Sequence, residues 1–356
     1  MSTAAATRLA SIDALRGITV AAMLLVNNPG DWGHVHAPLL HAAWHGCTPT
    51  DLVFPFFLFL VGVSMAFSVV PRAANAAARP ALARGVLTRA LRILLAGLLL
   101  HALAWWLLEL PHYRLWGVLQ RIAVCSALVG LLAVYARQRL QWAALVLLLA
   151  GYSGLLLGAD TLVPLLNPVS RLDTALFAPW IYQYEAASGL GHDPEGLMST
   201  LGALATTLLG LLAGQMLRAA AAALRLAICG ALLLAIGLAA AVWLPLTKNL
   251  WTPPYVLWTG GLAIIALLAA HWLIDQRGWP ALGRRFGVNA ITVYLGASVM
   301  SVLLGASGLW QAVWNAAAGA MPTQRATASL LIAVSFVAAW WAVAWWLDAR
   351  RIYLKI

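Results

Sequence analysis

Long apolar segments, separated by short polar connections, make up most of the chain. A membrane-spanning helix needs about 20 mostly apolar residues, and ten segments of the sequence approach this length. They are residues 14–28, 51–70, 90–108, 115–136, 141–157, 197–217, 224–245, 255–274, 286–305 and 327–347. A further stretch, residues 308–321, is too short to span and polar in its middle, so we expect it to lie along the membrane interface. The pattern predicts an all-α polytopic membrane protein with about ten transmembrane helices.

The composition agrees with this prediction. Of the 356 residues, 63% are hydrophobic and only 9% are charged, whereas soluble domains carry about 25% charged residues. No polar stretch is long enough for a separate soluble domain, so residues 1–356 are expected to form a single transmembrane domain. The three cysteines, Cys47, Cys125 and Cys229, lie on or within different predicted helices, and no pair is placed for a disulfide.

Lysine and arginine residues divide unevenly between the two sets of connections. If the N-terminus is cytoplasmic, 17 of them lie on the cytoplasmic side, and four (Arg114, Arg171, Lys248 and Arg325) face the other side. The positive-inside rule therefore predicts that both termini are cytoplasmic and that the long loops 29–50 and 158–196 face outward. The net charge of +11 mostly reflects this topology, so no nucleic-acid partner is expected.

Chemically active residues concentrate in the two long loops. Four of the eight histidines lie in loop 29–50: His34, His36, His41 and His45. The loops end in TPTD and DPEG, which predict N-caps at Thr48 and Asp193, with Asp51 and Glu195 in the first helical turn. A carboxylate suits the positive end of a helix dipole and a proline suits the first helical position. Capping accounts for these acidic residues but leaves the histidines unexplained.

The histidines admit more than one chemistry. His41 and His45 are four residues apart and would share a helix face, as zinc ligands often do. A catalytic zinc usually takes three protein ligands, and no glutamate lies between this pair, so no metal is expected. A histidine acting as general base needs only reach and a suitable pKa. A nucleophilic thiol at Cys47 is a further alternative.

Other polar residues lie inside or at the ends of the apolar segments. They are Gln120 and Arg121 in the fourth segment, Asn289 and Tyr294 in the ninth, Asn27 and Asn28 at the end of the first, and Lys248 and Asn249 before the eighth. Packing between helices would explain each one separately. Arg121, however, is too deep for its side chain to reach the interface, so it should face a partner or a water-filled cavity. Together these residues predict a cavity that opens outward.

Six segments together resemble the heparan-α-glucosaminide N-acetyltransferase family, including its small bacterial members, which lack the extra N-terminal luminal domain of the lysosomal enzyme. The segments are RLASIDALRGITVAAMLLVNNPG, HAAWHGCTPTDLVFPFFLFLVGVSM, GVLQRIAV, DPEGLMSTLGALATTLLGLLAG, PLTKNLW and GVNAITVYLG. They occur in family order and span residues 8 to about 296. The combination is specific, although any single segment would be a weak signal.

The resemblance implies a transmembrane acetyltransferase. Acetyl from cytosolic acetyl-CoA would pass to the amino group of a terminal glucosamine on the far side of the membrane. The family's active-site histidine falls on His41, its neighbouring asparagine on Asn27, and the aspartate of its ADLVFP segment on Asp51. His45 departs from the pattern, because this chain reads WHG where the lysosomal enzyme reads WNG, so recognition of the acceptor is an open question. Direct transfer is expected, with an acetyl-histidine intermediate as the alternative.

The remaining site residues are expected to bind the two substrates. Acetyl-CoA is assigned to Arg16, Arg89, Arg92, Gln120, Arg121, Arg284, Arg285 and Asn289, most of which lie near the basic cytoplasmic rim. The amino-sugar acceptor is assigned to Trp44, His45, Asp193, Glu195, Lys248 and Asn249. The resemblance and the chain length indicate a multi-pass protein of a bacterial inner membrane, surrounded by lipid, and leave a homodimer open.

Two readings without catalysis compete with the enzyme. A transporter of amino sugars would also place polar groups in a helical bundle, but the sequence shows neither an internal repeat nor a clearly broken pair of helices, which such proteins commonly have. A structural or regulatory membrane protein is the third reading. Neither alternative accounts for a basic inner rim combined with a histidine-bearing outer loop.

Overall fold

The computed structural model describes residues 9–219 and 222–354. Its α-helices are α1 (Ala10–Asn27), α2 (Val53–Ser68), α3 (Val70–Ala73), α4 (Arg79–Leu107), α5 (Val118–Tyr135), α6 (Gln138–Leu157), α7 (Pro168–Phe177), α8 (Thr200–Leu217), α9 (Ala222–Ala240), α10 (Pro253–Ala270), α11 (Arg284–Val288), α12 (Ala290–Ala306), α13 (Leu309–Ala320) and α14 (Arg325–Ala349). Three single 3₁₀ turns cover Ala37–Leu39, Pro49–Leu52 and Ala76–Ala78, and a π-helical turn covers His271–Gln276. The strands β1 (Gln183–Glu185) and β2 (Leu190–His192) form one antiparallel hairpin. Two of the cations counted above, Arg8 and Lys355, and the ends of the expected domain lie outside the described residues.

The prediction of an all-α membrane protein with about ten spans is confirmed. Within the described residues, nine helices are long and apolar enough to cross a membrane. The consecutive helices α12 and α13 make a tenth if they count as one span, although they are bent by 78° relative to each other. The bend separates Leu309–Ala320 from α12, and the expectation that residues 308–321 lie along the interface stays a prediction.

Two helix starts differ from the sequence prediction. The helix around the predicted span 90–108 begins at Arg79, because alanine and leucine favour helix beyond the apolar core and Pro80 occupies the first turn, where proline is tolerated. The predicted N-cap at Asp193 is wrong, since α8 begins at Thr200. The Asp193 carboxylate caps a tight turn instead, accepting from the backbone N–H of Glu195 at 2.9 Å.

Alternate connections of the bundle meet at the same end. Gly46 forms a β-bridge with Thr247, so the first long loop touches the connection before α10. The backbone N–H of Gly30 donates to the carbonyl of Ser329 in α14 at 3.2 Å. The end that carries residues 28–52 and 158–199 is called the long-loop face below, and the other end the opposite face.

The opposite face is closed by contacts between the start of α1 and the segment around α11. The backbone N–H and the hydroxyl of Ser11 both donate to the carboxylate of Asp275. Arg16 donates to the carbonyl of Gly287 at 2.8 Å. These contacts join the first helix to the segment between α10 and α12 at this end of the bundle.

The crossing of α2 and α8 forms the centre of the bundle. Gly62 and Gly210 allow the two backbones to meet, because a Cβ on either would lie 1.9 Å from a carbonyl oxygen of the other helix, that of Thr207 or Phe59. Small residues at a helix contact permit this approach in membrane proteins. The crossing fixes the starts of α2 and α8 relative to each other, and both starts adjoin the long loops.

Candidate active site

A cavity of about 610 Å³ lies within the long-loop face, and that this face is the outer one stays a prediction. Six of the residues assigned to catalysis or acceptor binding line it: Asn27, His41, Trp44, Glu195, Lys248 and Asn249. A second cavity of about 190 Å³ shares Met23, Asn27 and Tyr294 with the first and continues between α1 and α12. The polar space therefore extends from the loops into the bundle.

The sequence TPTD builds the floor of this cavity. Thr48 is the N-cap of the turn Pro49–Leu52, and the reciprocal capping bonds with Asp51 are both present, as predicted. One carboxylate oxygen of Asp51 accepts from the backbone N–H groups of Thr48 and Ala42, at 2.9 and 3.1 Å. The Asp51 side chain is 1% exposed, and so its orientation is fixed by the cap.

The other carboxylate oxygen of Asp51 lies 2.6 Å from Nδ1 of His41. Asp51 accepts two backbone N–H bonds in the cap, as an ionised carboxylate does. An ionised carboxylate can only accept, so Nδ1 of His41 is the donor of this bond and Nε2 carries the lone pair. Since 41% of the His41 side chain is exposed, this lone pair is available to a molecule in the cavity. Asp51 therefore acts both as a helix cap and as the partner of the histidine.

Lys248 lies beside the same histidine. Its Nζ atom is 3.4 Å from Nδ1 and 3.2 Å from Nε2 of His41. Two nearly equal distances place the ammonium over the ring rather than in line with one nitrogen. Two contacts hold the segment that carries Lys248. Thr247 forms a β-bridge with Gly46, and its hydroxyl hydrogen-bonds with Nδ1 of His45 at 2.8 Å. Burial lowers the pKa of Lys248, against the opposing charges of Glu195 and Asp51.

The structure does not bring every predicted acceptor residue into the cavity lining. The His45 ring is bound to Thr247 and packs edge-on to Trp44, with ring centres 6.4 Å apart. Burial lowers the pKa of His45. The His45 side chain thus joins the first long loop to the segment that carries Lys248.

An arginine that the sequence had assigned only to topology organises the second long loop. Arg114 donates to both oxygens of Asp193, at 3.0 and 2.5 Å, and to Glu195 at 2.6 Å. Glu195 lines the cavity, whereas Asp193 is fully buried behind it. The pKa of Glu195 is lowered to about 2, because the charges of Arg114 and Lys248 outweigh its burial.

Arg121 and Gln120 lie on the long-loop side of the bundle, away from the opposite face. Arg121 is fully buried and its guanidinium lies 4.9 Å from the centre of the Trp251 ring. It donates to the carbonyl of Gly196 at 3.1 Å and to the hydroxyl of Ser199. The expectation that Arg121 faces a partner is confirmed: its partners are the turn before α8 and an aromatic face.

Asp173 lies beneath this turn. One of its carboxylate oxygens accepts from the backbone N–H of Leu197 at 2.8 Å. The other has no hydrogen-bond partner among the described residues and lies against Gly196. Burial raises the pKa of Asp173 to about 6.

Several residues assigned to acetyl-CoA meet at the opposite face. Arg16 donates to Ser64 at 3.0 Å in addition to the Gly287 carbonyl. Arg284 and Arg285 lie 3.6 and 3.9 Å from the carboxylate of Asp348.

Asn289, Arg89 and Arg92 complete that set. The Asn289 amide is bonded to the C-terminal segment, donating to Ile352 at 2.9 Å and accepting from Leu354 at 3.1 Å. Arg89 and Arg92 are exposed on α4, about three turns from its start. Four of the eight cofactor residues are therefore grouped at the opposite face.

The sequence matches the family model "Heparan-alpha-glucosaminide N-acetyltransferase, catalytic" over residues 8–190, just over half of the 356-residue chain. The chain belongs to this family. The Homo sapiens heparan-alpha-glucosaminide N-acetyltransferase is 31% identical over 132 residues, which are 35% of this chain and 19% of the human protein. The Mus musculus protein of the same name is 28% identical over 137 residues, 36% of this chain and 20% of its own length. The matched region thus spans about a fifth of these curated relatives.

The cavity of this family member is built from inside and outside the matched region. Asn27, His41 and Trp44 lie within residues 8–190. Glu195, Lys248, Asn249 and Tyr294 lie beyond them and line the same cavity. The fold therefore completes the site with segments that the family model does not cover.

Sequence reasoning missed part of the lining. The missed residues include Trp32, Arg114, Tyr182, Gln183 and His192. His192 is buried, bonds through Nδ1 to the hydroxyl of Ser170 at 2.9 Å, and packs on Trp44 with ring centres 4.9 Å apart. Arg114 had one detectable signal, since it is one of only four cations predicted to face outward.

The surroundings of Cys47 bear on the thiol alternative. Burial and the charge of Asp51 raise the pKa of the Cys47 thiol to about 12, so a thiolate is disfavoured. Among residues 9–219 and 222–354, no group of three or more His, Cys, Asp or Glu side chains is placed to hold a metal ion. The histidine–aspartate pair is the arrangement in this cavity that fits general base catalysis.

Proposed function

We propose that this family member transfers acetyl from acetyl-CoA, bound from the cytoplasmic side, to the amino group of a glucosamine-containing acceptor on the outer side of the membrane. The observation that carries the proposal is the His41–Asp51 pair, with its 2.6 Å bond, at the edge of a polar cavity. The long-loop face is then the outer face, and both termini are cytoplasmic in a bacterial inner membrane.

The chemical step uses the lone pair on Nε2 of His41. The neutral amine of the acceptor attacks the thioester carbonyl, the new C–N bond forms, and the proton of the amine passes to Nε2. The C–S bond breaks as the tetrahedral intermediate collapses, and the CoA thiolate leaves and takes up a proton. A general base contributes about 10²–10⁴-fold to such a step. Asp51 holds the histidine in the reactive tautomer and stabilises the imidazolium.

Asn27 is proposed to stabilise the developing negative charge. Its side chain ends α1 at the long-loop face and lines both cavities. A hydrogen bond from its amide N–H to the thioester oxygen would become stronger as that oxygen becomes anionic. Lys248, beside His41, adds a positive charge on the same side of the cavity.

The acetyl-CoA phosphates are proposed to bind at the opposite face, around Arg16, Arg284 and Arg285. Guanidinium groups and helix N-termini both suit phosphate. The smaller cavity reaches Met23 on α1, which is seven residues from Arg16 and hence about 10 Å along the helix. The pantetheine arm is long enough to cross that gap between α1 and α12.

The other assigned residues have supporting roles in the proposal. Asn289 would contact the cofactor once the C-terminal segment moves, and Arg89 and Arg92 would add to the basic rim. Gln120 and Arg121 would brace the wall that the pantetheine passes. Trp44, Glu195 and Asn249 would contact the acceptor, with His45 and Asp193 holding the loops that carry them.

The proposal is tested with protein purified into nanodiscs, radiolabelled acetyl-CoA and glucosamine. The expected products are N-acetylglucosamine and free CoA in equal amounts, and the His41→Ala variant should form neither above about 1% of the wild-type rate. Folding of the variant is checked by its thermal transition. Wild-type protein that is folded but yields no acetylated sugar would overturn the proposed function.

The transporter alternative gains one observation, the bend between α12 and α13. Inverted-repeat transporters carry such breaks in corresponding helices of two halves, and among the described residues only this pair is bent. Proteoliposomes distinguish the two readings. Uptake of unmodified labelled glucosamine without acetyl-CoA would favour transport over catalysis.

A further inference from the structure

The positive charges in the cavity lining already have partners. Arg114 and Lys248 are the lysine and arginine side chains that line the cavity in the described residues. Arg114 faces two carboxylates, Asp193 and Glu195, so its positive charge is already compensated. A bound sulfate or carboxylate would therefore find this arginine already neutralised.

Lys248 is not available to a remote anionic substituent. Its Nζ atom lies over the ring of His41, where the reacting amine must come. Burial lowers the pKa of Lys248, and the charges of Glu195 and Asp51 oppose this shift. An anion drawn to Lys248 would occupy the reaction centre and displace the acceptor amine.

The long-loop face, within which the cavity lies, carries a net negative charge. The long-loop face carries eight acidic residues: Asp31, Asp51, Glu109, Asp160, Asp173, Glu185, Asp193 and Glu195. It carries five lysine or arginine residues: Arg114, Arg121, Arg171, Lys248 and Arg325. Five minus eight gives a net charge of −3 for this face. Such a field draws ammonium groups toward the cavity and repels polyanions.

The rest of the lining suits an uncharged sugar ring. Trp32, Trp44 and Tyr182 offer aromatic surface, on which the apolar face of a pyranose can pack. Gln183 and Asn249 offer amide groups for sugar hydroxyls. These groups provide shape and hydrogen bonds without any cation that would compensate an anionic substituent.

We propose that the acceptor is an amino sugar whose only charged group is its own amine, and that sulfated or uronate-bearing glucosaminides are poor acceptors. The inference rests on the proposed acetyl transfer and names its substrate class. Placing an anionic substituent beside Glu195 and Asp193 juxtaposes like charges. The cost corresponds to roughly a tenfold to hundredfold lower kcat/KM than for a neutral acceptor of equal size.

The test compares matched acceptors on wild-type protein at saturating acetyl-CoA. Glucosaminyl-glucosamine is compared with a disaccharide of glucosamine and a uronic acid, and glucosamine with its 6-sulfate. The neutral member of each pair should be favoured at least about tenfold. Raising the salt concentration should reduce the difference in kcat/KM between the neutral and the anionic acceptors, because salt screens the surface charge.

A charge variant locates the effect. Glu195→Gln removes a negative charge from the lining and should reduce the discrimination severalfold. Glu185→Gln removes one negative charge from the exposed hairpin, outside the cavity lining. It should leave the discrimination between neutral and anionic acceptors within about twofold of wild type. If Glu195→Gln does not fold, the wild-type comparison alone decides.

The outcomes separate the two proposals. Equal or better acetylation of the uronate-bearing and sulfated acceptors would overturn the inference but leave the acetyltransferase intact. Absence of transfer to every amino sugar would overturn the proposed function and the inference with it. Preference for the neutral acceptors, reduced by salt and by Glu195→Gln, would support both.

Discussion

Replacement of Asp51 by asparagine changes one atom of the carboxylate and separates its two roles. One oxygen of Asp51 accepts from Thr48 and Ala42 in the cap, and the other lies 2.6 Å from Nδ1 of His41. If the asparagine oxygen keeps the cap, its NH₂ group faces Nδ1, which must then accept. The proton of the imidazole moves to Nε2, and the catalytic lone pair is lost.

The expected loss in kcat is therefore that of a missing general base, about 10²–10⁴-fold. The cost in stability is smaller, on the order of 1 kcal/mol, because the cap survives with a neutral acceptor. KM for acetyl-CoA should change little, since the cofactor residues lie elsewhere. The kcat of His41→Ala should fall by a similar factor. The kcat of the double variant should be no lower than that of either single variant, because the two residues act as one unit.

The assay is acetyl transfer to glucosamine by purified Asp51→Asn, His41→Ala and the double variant, with thermal unfolding measured in parallel. Thr48→Ala is the matched control, since it weakens the cap but leaves the carboxylate. It should lose stability and keep most of its turnover. Turnover of Asp51→Asn within about threefold of wild type, or losses that multiply in the double variant, would refute the proposed role of the pair.

Three further predictions follow from the structure. Arg284→Ala with Arg285→Ala should raise KM for acetyl-CoA at least about fivefold, while Arg137→Ala on the same face should not, as measured by initial rates. A cysteine at Ser188, in an otherwise cysteine-free protein, should react with a membrane-impermeant reagent in intact cells; reaction only after lysis would reverse the topology. Burial holds the pKa of Asp173 above its unfolded value, at about 6, so its stabilising effect is present at low pH and lost as pH rises through 6. Asp173→Asn should therefore raise the thermal midpoint relative to wild type at pH 8 but not at pH 4, and equal midpoints at both would contradict the burial argument.

The sequence predicted the parts of the fold that the membrane dictates. Apolar length alone identifies the spans, because every buried backbone group in lipid must be satisfied within a helix. The cap at Thr48 follows from local chemistry and was correct. The expected cap at Asp193 failed because a distant residue, Arg114, holds that carboxylate. A capping rule considers only neighbouring residues, so it cannot predict an ion pair with a residue that is distant in the sequence.

The candidate site divides in the same way. His41 and Asp51 are ten residues apart, so their pairing lies within the reach of local reasoning. Lys248 approaches His41 across more than 200 residues, and the approach depends on the bridge between Gly46 and Thr247. The charge of the cavity is decided by such distant pairs, because Arg114 is neutralised by a loop that follows it by about 80 residues. From the sequence alone, Arg114 would be interpreted as a binding site for anions. In the structure its guanidinium is already paired with Asp193 and Glu195. The expected acceptor of this chain therefore follows from which charges are paired rather than from how many there are.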